Sequence, residues 1–414
     1  MIQLYDILIA GAGPMGNYLA FKMANKGLKV AVFEEHSEIG KPVHCTGIIG
    51  AQSFQKFHVP SNSIIKELPY FKVYAPSGHY IYFPHTIKAY IVHRDKFDRD
   101  IADMAESKGA EYFLDSRVVK IENHKDHARI IVDKGDKQIK FDGKLCVIAT
   151  GAMSNLPYES GITKPKFFYK TAHTELEVSN LEGAEIFTGE KYAPGSFAYV
   201  VSTYGKIAKA GLITRVKAKN CLENLLQHRL LKNRIEGQLD IVKYRRVPMG
   251  IPKNTVINRV LALGDAAGQI KTTTAGGVYL GLVCTEILAA TLIKACEKKD
   301  FNLNKVKEYD YLWKKQIGSE LHAGLLVRAF FEKVEDKYIS KIFQLASTDN
   351  IKAVVEKKGN YDHHRELIIS LMKEPEIRKL VFEMIRKNLP QKRFFNYLVT
   401  YIDTLSNINI FAKR

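Results

Sequence analysis

Two short glycine motifs, about 250 residues apart, place the strongest constraint on the fold of this chain of 414 residues. The first, Gly-Ala-Gly-Pro-Met-Gly, occupies residues 11–16, and the second, Gly-Asp-Ala-Ala-Gly, occupies residues 264–268. Each follows a short apolar run, over residues 5–10 and 260–263, that predicts a buried parallel strand. Glycine turns at the ends of such strands are typical of nucleotide-binding α/β folds. The spacing predicts one such domain, discontinuous in sequence.

The glycines of the first motif have the spacing expected for contact with a dinucleotide pyrophosphate. Gly11 allows the tight turn, Gly13 lets the backbone approach the phosphates, and Gly16 lets the following helix pack on the strand. This helix is predicted over residues 15–26, and its N-terminal N–H groups face the phosphates. The alternative is a glycine turn in another kind of α/β protein.

The second strand and its acidic end favour the dinucleotide interpretation. Residues 29–33 form a short apolar run, and Glu34 follows it, eighteen positions after Gly16. A carboxylate there accepts hydrogen bonds from the ribose hydroxyls of a dinucleotide. Glu35 is adjacent and is a second candidate for the same role.

The second motif indicates that the dinucleotide is FAD. Gly264 and Asp265 end a strand, so the carboxylate is expected at the ligand-binding edge of the sheet, where it binds flavin ribityl hydroxyls. A long apolar helix is predicted over residues 278–295. Its N-terminus carries partial positive charge near the flavin pyrimidine end and stabilises a reduced flavin anion.

The length and composition of this helix also fit a membrane span. Residues 276–293 carry a single charge, on Glu286, and their number lies at the lower limit for crossing a bilayer. Because the Gly-Asp motif lies directly upstream, we predict a buried core helix instead.

Taken together, these motifs resemble the geranylgeranyl reductase family, a branch of the FAD-dependent para-hydroxybenzoate-hydroxylase-like flavoproteins. The resemblance extends to Gly-Lys-Pro-Val-His-Cys-Thr-Gly at 40–47, His-Arg-Asp-Lys-Phe-Asp at 93–98, Ala-Thr-Gly at 149–151 and Thr-Ala-Gly-Gly at 274–277. These segments span most of residues 1–295. The fold that the resemblance implies is α/β: a Rossmann-type parallel sheet split in sequence, an antiparallel-sheet substrate domain and a C-terminal helical region.

The resemblance implies a role for each matched position. Met15 and Glu34 contact the ADP part of FAD, and Val118 presents its backbone to adenine. Arg94 lies near the phosphate or ribityl region. With the glycine motifs, the expected cofactor-binding residues are Gly11, Gly13, Met15, Gly16, Glu34, Cys45, Thr46, Gly47, Arg94, Val118, Gly264, Asp265, Gly276, Gly277 and Val278.

The resemblance also implies an FAD-dependent reductase that saturates C=C bonds of geranylgeranyl chains in membrane ether lipid precursors. Archaeal members of the family act on such lipids, and plant and bacterial relatives reduce the geranylgeranyl tail of chlorophyll pigments. The chain departs from the family in the aromatic stretch Tyr-x-Trp-x-Phe-Pro, which lines the lipid cavity. The corresponding segment is 194–202, and the single tryptophan is Trp313. Phe197 and Tyr199 are predicted to fill a similar stripe.

Reduction of an isolated alkene requires hydride from reduced FAD and a proton on the neighbouring carbon. His44, Cys45 and Tyr199 are candidate proton donors near the predicted ring face, and no spacing singles one out. For Cys45 we predict a structural role with a modest catalytic one. The five cysteines have no metal-like spacing, so we expect no metal site.

The net charge of +18 indicates an anionic partner surface. The chain has no nucleic-acid motif, so an acidic lipid bilayer is the better prediction; a lysine-rich composition without functional meaning is the alternative. Because the first strand begins near the N-terminus, we expect no signal peptide and a cytoplasmic protein, peripheral on the inner face of the membrane. An aromatic stretch over 394–402 beside basic residues fits either a core helix or a membrane surface.

The predicted organisation has three parts. Residues 1–60, 90–160 and 245–300 form the discontinuous FAD domain. Alternating apolar and polar residues over 70–90 and 166–214 predict antiparallel strands, within a substrate domain of 61–89 and 161–244. A helix is predicted over 97–109. From 301 to 414 the pattern becomes helical.

Two other functions are compatible with the same fold. One is an FAD-dependent monooxygenase, which requires oxygen. The other is a catalytically inactive flavin- or lipid-binding protein. No second Gly-x-Gly-x-x-Gly motif is present, so the electron donor is either a ferredoxin or NAD(P)H in a transient encounter.

Overall fold

A computed structural model describes residues 4–135 and 137–388, without the side chains of 385–388. The chain forms two compact units. Unit 1 comprises Met1–Lys66, Tyr90–Phe168 and Arg246–Leu321, and unit 2 comprises Glu67–Ala89, Tyr169–Arg245 and His322–Arg414. The division into three domains stays a prediction, and the aromatic stretch over 394–402 lies outside the described residues.

The described residues form nineteen strands and twelve helices. The strands are β1 Leu4–Ala10, β2 Val30–Phe33, β3 Ile48–Gly50, β4 Ile64–Glu67, β5 Tyr70–Tyr74, β6 Tyr80–Pro84, β7 Ala89–Val92, β8 Glu111–Phe113, β9 Arg117–Asn123, β10 Ala128–Lys134, β11 Lys137–Ile148, β12 Phe167–Val178, β13 Ala184–Thr188, β14 Phe197–Ser202, β15 Ile207–Thr214, β16 Ile235–Glu236, β17 Lys243–Met249, β18 Val256–Ile257 and β19 Val260–Ala262. The helices are α1 Pro14–Ala24, α2 Ala51–Lys56, α3 Arg94–Glu106, α4 Leu156–Glu159, α5 Ala218–Leu226, α6 Val278–Glu297, α7 Leu303–Val306, α8 Glu308–Phe331, α9 Asp336–Ala346, α10 Asp349–Lys358, α11 Arg365–Lys373 and α12 Pro375–Asn388.

The main sheet of unit 1 has the strand order β18-β19-β11-β1-β2-β8. Five of these strands, from β19 to β8, run parallel, and β18 is antiparallel to β19. β10 pairs with β11, and β9 with β10, as an antiparallel extension. The parallel strands bring the carboxyl ends of β1, β2 and β19 to one edge of the sheet. Both glycine motifs and Glu34 follow these ends.

Strand β1 is buried on both faces, as its continuous apolar run predicts. Ile7 and Ile9 pack in one core with residues of α1 and α6. Leu8 and Ala10 face a second core formed with β10 and β11. The predicted strand over 5–10 is therefore confirmed.

Helix α6 is the one helix in the described part of the chain that is long and apolar enough, by length and composition, to cross a membrane. In the protein, 61% of its most apolar 18-residue stretch is buried. Leu280, Leu288 and Leu292 have no exposed surface. Glu286, the single charge within residues 276–293, accepts a hydrogen bond of 2.6 Å from the hydroxyl of Tyr18 on α1. α6 is thus a core helix of unit 1, as predicted.

Helix α3 begins at Arg94, three residues before the predicted start, and ends at Glu106. Its first turn is charged rather than apolar, so the apolar pattern begins only at Phe97. The prediction placed the start too late because pairs such as Arg94–Asp98, four residues apart, support a helix without apolar residues.

Unit 2 contains a sheet with the strand order β16-β12-β15-β14-β13-β5-β6, and β17 also pairs with β12. The pairs β12–β15, β12–β16, β14–β15, β13–β14 and β5–β6 are antiparallel as predicted, whereas β13 and β5 run parallel. These two strands lie more than 100 residues apart in sequence, so no local pattern reveals their relative direction. Helices follow from residue 303 onward, as predicted.

Candidate cofactor site

The first glycine motif forms a tight turn between β1 and α1. Gly11 has φ +106°, and a Cβ added there would lie 2.5 Å from the carbonyl oxygen of Ala149. A Cβ at Gly16 would collide with the carbonyl oxygen of Gly11. By contrast, a Cβ at Gly13 would have no atom within 4 Å. Gly11 and Gly16 are therefore required by the fold, whereas Gly13 leaves space above the loop.

Glu34 lies directly beyond β2 and points to the same loop. Its Oε2 accepts a hydrogen bond of 2.9 Å from the backbone N–H of Ala12. Its backbone carbonyl accepts one of 2.7 Å from Ser116, two residues before Val118 on β9. Glu35 is exposed instead, with one oxygen 3.7 Å from Arg117. This geometry favours Glu34 over Glu35 at the ribose position, and the contact with Val118 stays a prediction.

Met15 holds α1 against the second motif. Its side chain is 8% exposed, and a Cβ added at Gly264 would lie 3.1 Å from its Cγ. A Cβ at Gly281 of α6 would collide with its sulfur. The side chain of Met15 is thus a core contact, and its contact with the ADP part of FAD stays a prediction.

Arg94, the first residue of α3, is fixed by an acidic partner. Its Nη2 donates hydrogen bonds of 2.8 and 2.9 Å to the two oxygens of Asp98, and the two side chains are 11% and 10% exposed. Burial lowers the pKa of Arg94, but the charge of Asp98 and contact with the Cys45 thiol raise it above its ordinary value. Its buried Nε has no hydrogen-bond partner among the described residues. The site therefore contains a guanidinium group held in place by Asp98, whose Nε–H can still donate a hydrogen bond.

The segment 40–47 packs against the start of α3. The Cys45 sulfur accepts a 3.4 Å hydrogen bond from the N–H of Gly47 and contacts Arg94. Gly47 has φ +88°, and a Cβ there would lie 2.9 Å from the carbonyl oxygen of Val92. His44 and Thr46 flank Cys45 and are half-buried. The structure thus brings together Cys45 and Arg94, which the sequence placed at the cofactor.

Asn17 connects α1 to α3 beneath this arrangement. It is fully buried, and its side-chain amide donates to the carbonyl oxygens of Ala12 at 2.9 Å and Asp98 at 2.8 Å. Its Oδ1 accepts a 3.0 Å hydrogen bond from the hydroxyl of Tyr112. Asn17 therefore fixes the position of the glycine loop relative to α3, the helix that carries Arg94.

Asp265 lies in a 3-10 turn at the end of β19, next to the start of α6. A Cβ added at Gly277 would lie 2.8 Å from its Oδ1. Burial raises the pKa of Asp265 to about 6, against a smaller lowering effect of the Arg94 charge. The ionised form of Asp265 is therefore not fully stabilised by the surrounding protein. Its carboxylate is suited to accept hydrogen bonds from the hydroxyl groups of a ligand.

We expect Asp265→Asn to stabilise the protein without its cofactor at pH 7.5 by up to about 3 kcal/mol. The folded-state pKa of Asp265, about 6, lies above its unfolded value. Its ionised form therefore destabilises the fold above pH 6, and this cost disappears as the pH falls toward 4. Urea unfolding of both proteins at pH 7.5 and pH 4 tests this: equal differences at the two pH values would contradict it.

Tyr199 belongs to unit 2. Phe197 and Tyr199 alternate with the buried Ala198 and Val200 on β14 and share a face, with ring centroids 6.5 Å apart. A Cβ at Gly211 on the paired strand β15 would lie 2.5 Å from the Tyr199 hydroxyl oxygen, so the ring lies across this glycine. The two rings form an aromatic stripe, and its contact with a lipid stays a prediction.

The residues of unit 1 fit FAD. Gly13 leaves room for a pyrophosphate, and Glu34 and Asp265 supply acceptors for sugar and ribityl hydroxyls. The Nε of Arg94 and the hydroxyl of Thr150 are buried donors without hydrogen-bond partners among the described residues. Both groups are therefore available to a ligand held at this edge of the sheet.

Comparison with known proteins agrees with this arrangement. Residues 5–189 match the model of the pyridine nucleotide-disulphide oxidoreductase family. A digeranylgeranylglycerophospholipid reductase from Methanocaldococcus jannaschii is 29% identical over 348 residues, covering 81% of this chain and 88% of the relative. A geranylgeranyl bacteriochlorophyll reductase-like protein from Thermoplasma acidophilum superimposes with a TM-score of 0.79 at 19% identity, covering 98% of this chain and all of that protein. A variant of the halogenase PltM in complex with FAD gives 0.67 at 14% identity, covering 98% and 96%.

The fold and the site define an FAD-dependent oxidoreductase with the para-hydroxybenzoate-hydroxylase-like architecture. Within this class, the resemblance to the geranylgeranyl reductase family is confirmed by the archaeal relatives. FAD as the cofactor is confirmed with the class, whereas the role of each individual site residue stays a prediction.

Three polar residues of the site were missed from the sequence. Asp98 had a signal, because it lies within the predicted helix and four positions after Arg94, the spacing at which opposite charges pair once the helix extends back to Arg94. Asn17 looked like an ordinary helix residue. Lys271 lies in a polar loop where an exposed side chain is the usual outcome, yet it is 3% exposed.

Proposed function

We propose that this protein is an FAD-dependent reductase that saturates C=C bonds in the isoprenoid chains of membrane ether lipids. The observation that carries the proposal is the match to a reductase named for such a lipid, over 88% of that relative's length. The glycine loop, Glu34, Arg94 and Asp265 support it, because together they fit the cofactor that this reaction requires. Anaerobic incubation of reduced, FAD-loaded protein with a geranylgeranylated glycerophospholipid, read by mass spectrometry of the lipid, tests the proposal.

When bound and reduced, FAD supplies a hydride equivalent to one alkene carbon. The chain must hold the alkene, exclude water and deliver a proton to the neighbouring carbon. Cys45 is our first candidate for the proton, because its thiol is positioned by the Gly47 N–H and by Arg94. His44 and Tyr199 remain the other candidates. Full turnover by Cys45→Ala with FAD bound would exclude Cys45, whereas loss in Cys45→Ala with partial activity in Cys45→Ser would support it.

The electron donor is either a reduced ferredoxin or NAD(P)H. Both proposals are tested by mixing the FAD-loaded protein anaerobically with each donor and following loss of flavin absorbance. A donor that reduces the flavin faster than lipid turnover is competent, and one that reduces it more slowly is excluded.

We further propose that unit 2 contacts an anionic lipid bilayer through the segment between β16 and β17 together with the first residues of β17. Leu239 and Ile241 in this segment are 45% and 79% exposed, and Tyr244 is 44% exposed. Lys243 and Arg245 flank Tyr244 at the start of β17. Exposed apolar side chains beside basic ones suit the interface of an acidic bilayer.

The double substitution Leu239→Ser and Ile241→Ser is expected to weaken binding to anionic phospholipid vesicles roughly tenfold or more, since each removes apolar surface that the bilayer would bury. Vesicle co-sedimentation measures this, with neutral vesicles as a reference. The matched control is Tyr80→Ser with Tyr82→Ser, a pair of comparably exposed residues on β6. Equal binding by the two double variants would contradict the proposed surface.

A further inference from the structure

A lysine is buried beside the glycines that precede α6. Lys271 is 3% exposed. A Cβ added at Gly276 would lie 2.8 Å from its Cε and 3.2 Å from its Nζ. The missing side chain at Gly276 therefore provides the space that the lysine head group occupies.

The loop from Lys271 to Gly276 is closed on itself. The N–H of Lys271 donates a 3.0 Å hydrogen bond to the carbonyl oxygen of Gly276, and the N–H of Ala275 donates one of 2.8 Å to that of Lys271. Ala275 has φ +60°, which an alanine adopts only when its surroundings impose it. The Lys271 ammonium is thus fixed relative to the start of α6.

Two further features mark this loop as a ligand-facing surface. The hydroxyl of Thr274 is buried and has no hydrogen-bond partner among the described residues. The Asp265 carboxylate lies beside Gly277, the next residue after Gly276. Lys271 and Asp265 therefore lie against adjacent glycines at the N-terminus of α6. The flavin ring is proposed to bind at the same backbone segment.

We infer that Lys271 is the cation that stabilises the reduced flavin, acting on the pyrimidine end of the ring together with the N-terminus of α6. The inference rests on the proposed placement of FAD. Burying an ammonium group is costly, and a fixed positive charge in a buried site acts strongly on charge that develops nearby. A two-electron reduction of a flavin leaves negative charge at the pyrimidine end. The first turn of α6 contains no acidic residue that would oppose the effect.

The inference is tested with FAD-loaded full-length protein and sulfite, which adds to the flavin N5 and leaves negative charge at the pyrimidine end. Lys271→Met is expected to weaken sulfite binding at least tenfold, and Lys271→Arg to stay within about threefold of the wild type. A tenfold change corresponds to about 30 mV in a two-electron potential, which a dye-equilibration titration measures independently. The matched control is Lys56→Met: Lys56 lies 3.0 Å from the Tyr279 hydroxyl near the start of α6 but is exposed, so its loss should change neither value.

Unchanged sulfite affinity and potential in Lys271→Met would overturn the inference. Loss of FAD from both Lys271→Met and Lys271→Arg would also overturn it, because it would indicate that the lysine is required for packing rather than for its charge. The reductase function can be tested independently of this inference. If the wild type binds FAD and shows the Lys271 effect but reduces no isoprenoid lipid, the inference stands and the reductase function is wrong.

Discussion

Gly13→Ala is expected to weaken FAD binding roughly 100-fold and to leave the fold intact, since inserting a methyl group into a tight contact costs about 1–3 kcal/mol. In the protein without cofactor, an added Cβ meets no atom within 4 Å. Gly13 has φ −75° and ψ 176°, angles that alanine adopts without strain. A methyl group there therefore conflicts only with a pyrophosphate held against the loop. Fluorescence titration of the apoprotein with FAD measures the affinity, and urea unfolding measures the stability.

Gly318→Ala is the matched control for this substitution. Gly318 lies inside α8, and the nearest atom to an added Cβ is Ile251 Cδ1, at 4.0 Å. Alanine in a helix interior is expected to stabilise by about 0.5–1 kcal/mol and to leave FAD affinity unchanged. If Gly13→Ala binds FAD as tightly as Gly318→Ala, the pyrophosphate does not lie against the first glycine motif.

Asp98→Ala is expected to lower the free energy of unfolding by about 3–5 kcal/mol, because it leaves the buried Arg94 guanidinium without its acidic partner. The Arg94–Asp98 pair is almost enclosed, at 11% and 10% exposure. Chemical denaturation of the apoprotein measures the loss. The double variant Arg94→Met with Asp98→Leu should recover much of it, since neither charge then remains to be buried.

An exposed ion pair two residues further along α3 provides an internal comparison. Lys96 and Asp100 also lie four residues apart on α3, at 2.8 Å, but Lys96 is 46% exposed. Asp100→Ala should therefore cost less than about 0.5 kcal/mol. Equal decreases in the free energy of unfolding for Asp98→Ala and Asp100→Ala would contradict the prediction, because they would show that burial of the Arg94–Asp98 pair has no effect on stability.

The local elements around the cofactor follow directly from sequence. β1, β2 and α6 are apolar runs bounded by glycines or acids, so their apolar pattern and the flanking turn residues define them. The glycine spacing also predicted the nucleotide loop, because a side chain at position 11 or 16 would collide with a backbone carbonyl oxygen.

Features that depend on distant parts of the chain were not predictable in the same way. The parallel pairing of β13 with β5 joins segments far apart in sequence. The sequence alone does not distinguish Glu34 from Glu35 as the ribose-binding residue. Only the hydrogen bond from the Ala12 N–H favours Glu34. Burial of Lys271 depends on the space at Gly276, which no local pattern reveals.

The central claim is reduction of isoprenoid chains, and it is tested most directly by anaerobic incubation of chemically reduced, FAD-loaded protein with a geranylgeranylated glycerophospholipid. Mass spectrometry of the lipid and flavin absorbance are followed together. We predict a ladder of two-hydrogen gains in the lipid, each matched by reoxidation of flavin. An unchanged lipid mass, with flavin that reoxidises only when oxygen is admitted, would contradict the reductase function and favour a monooxygenase or an inactive binding protein on the same fold.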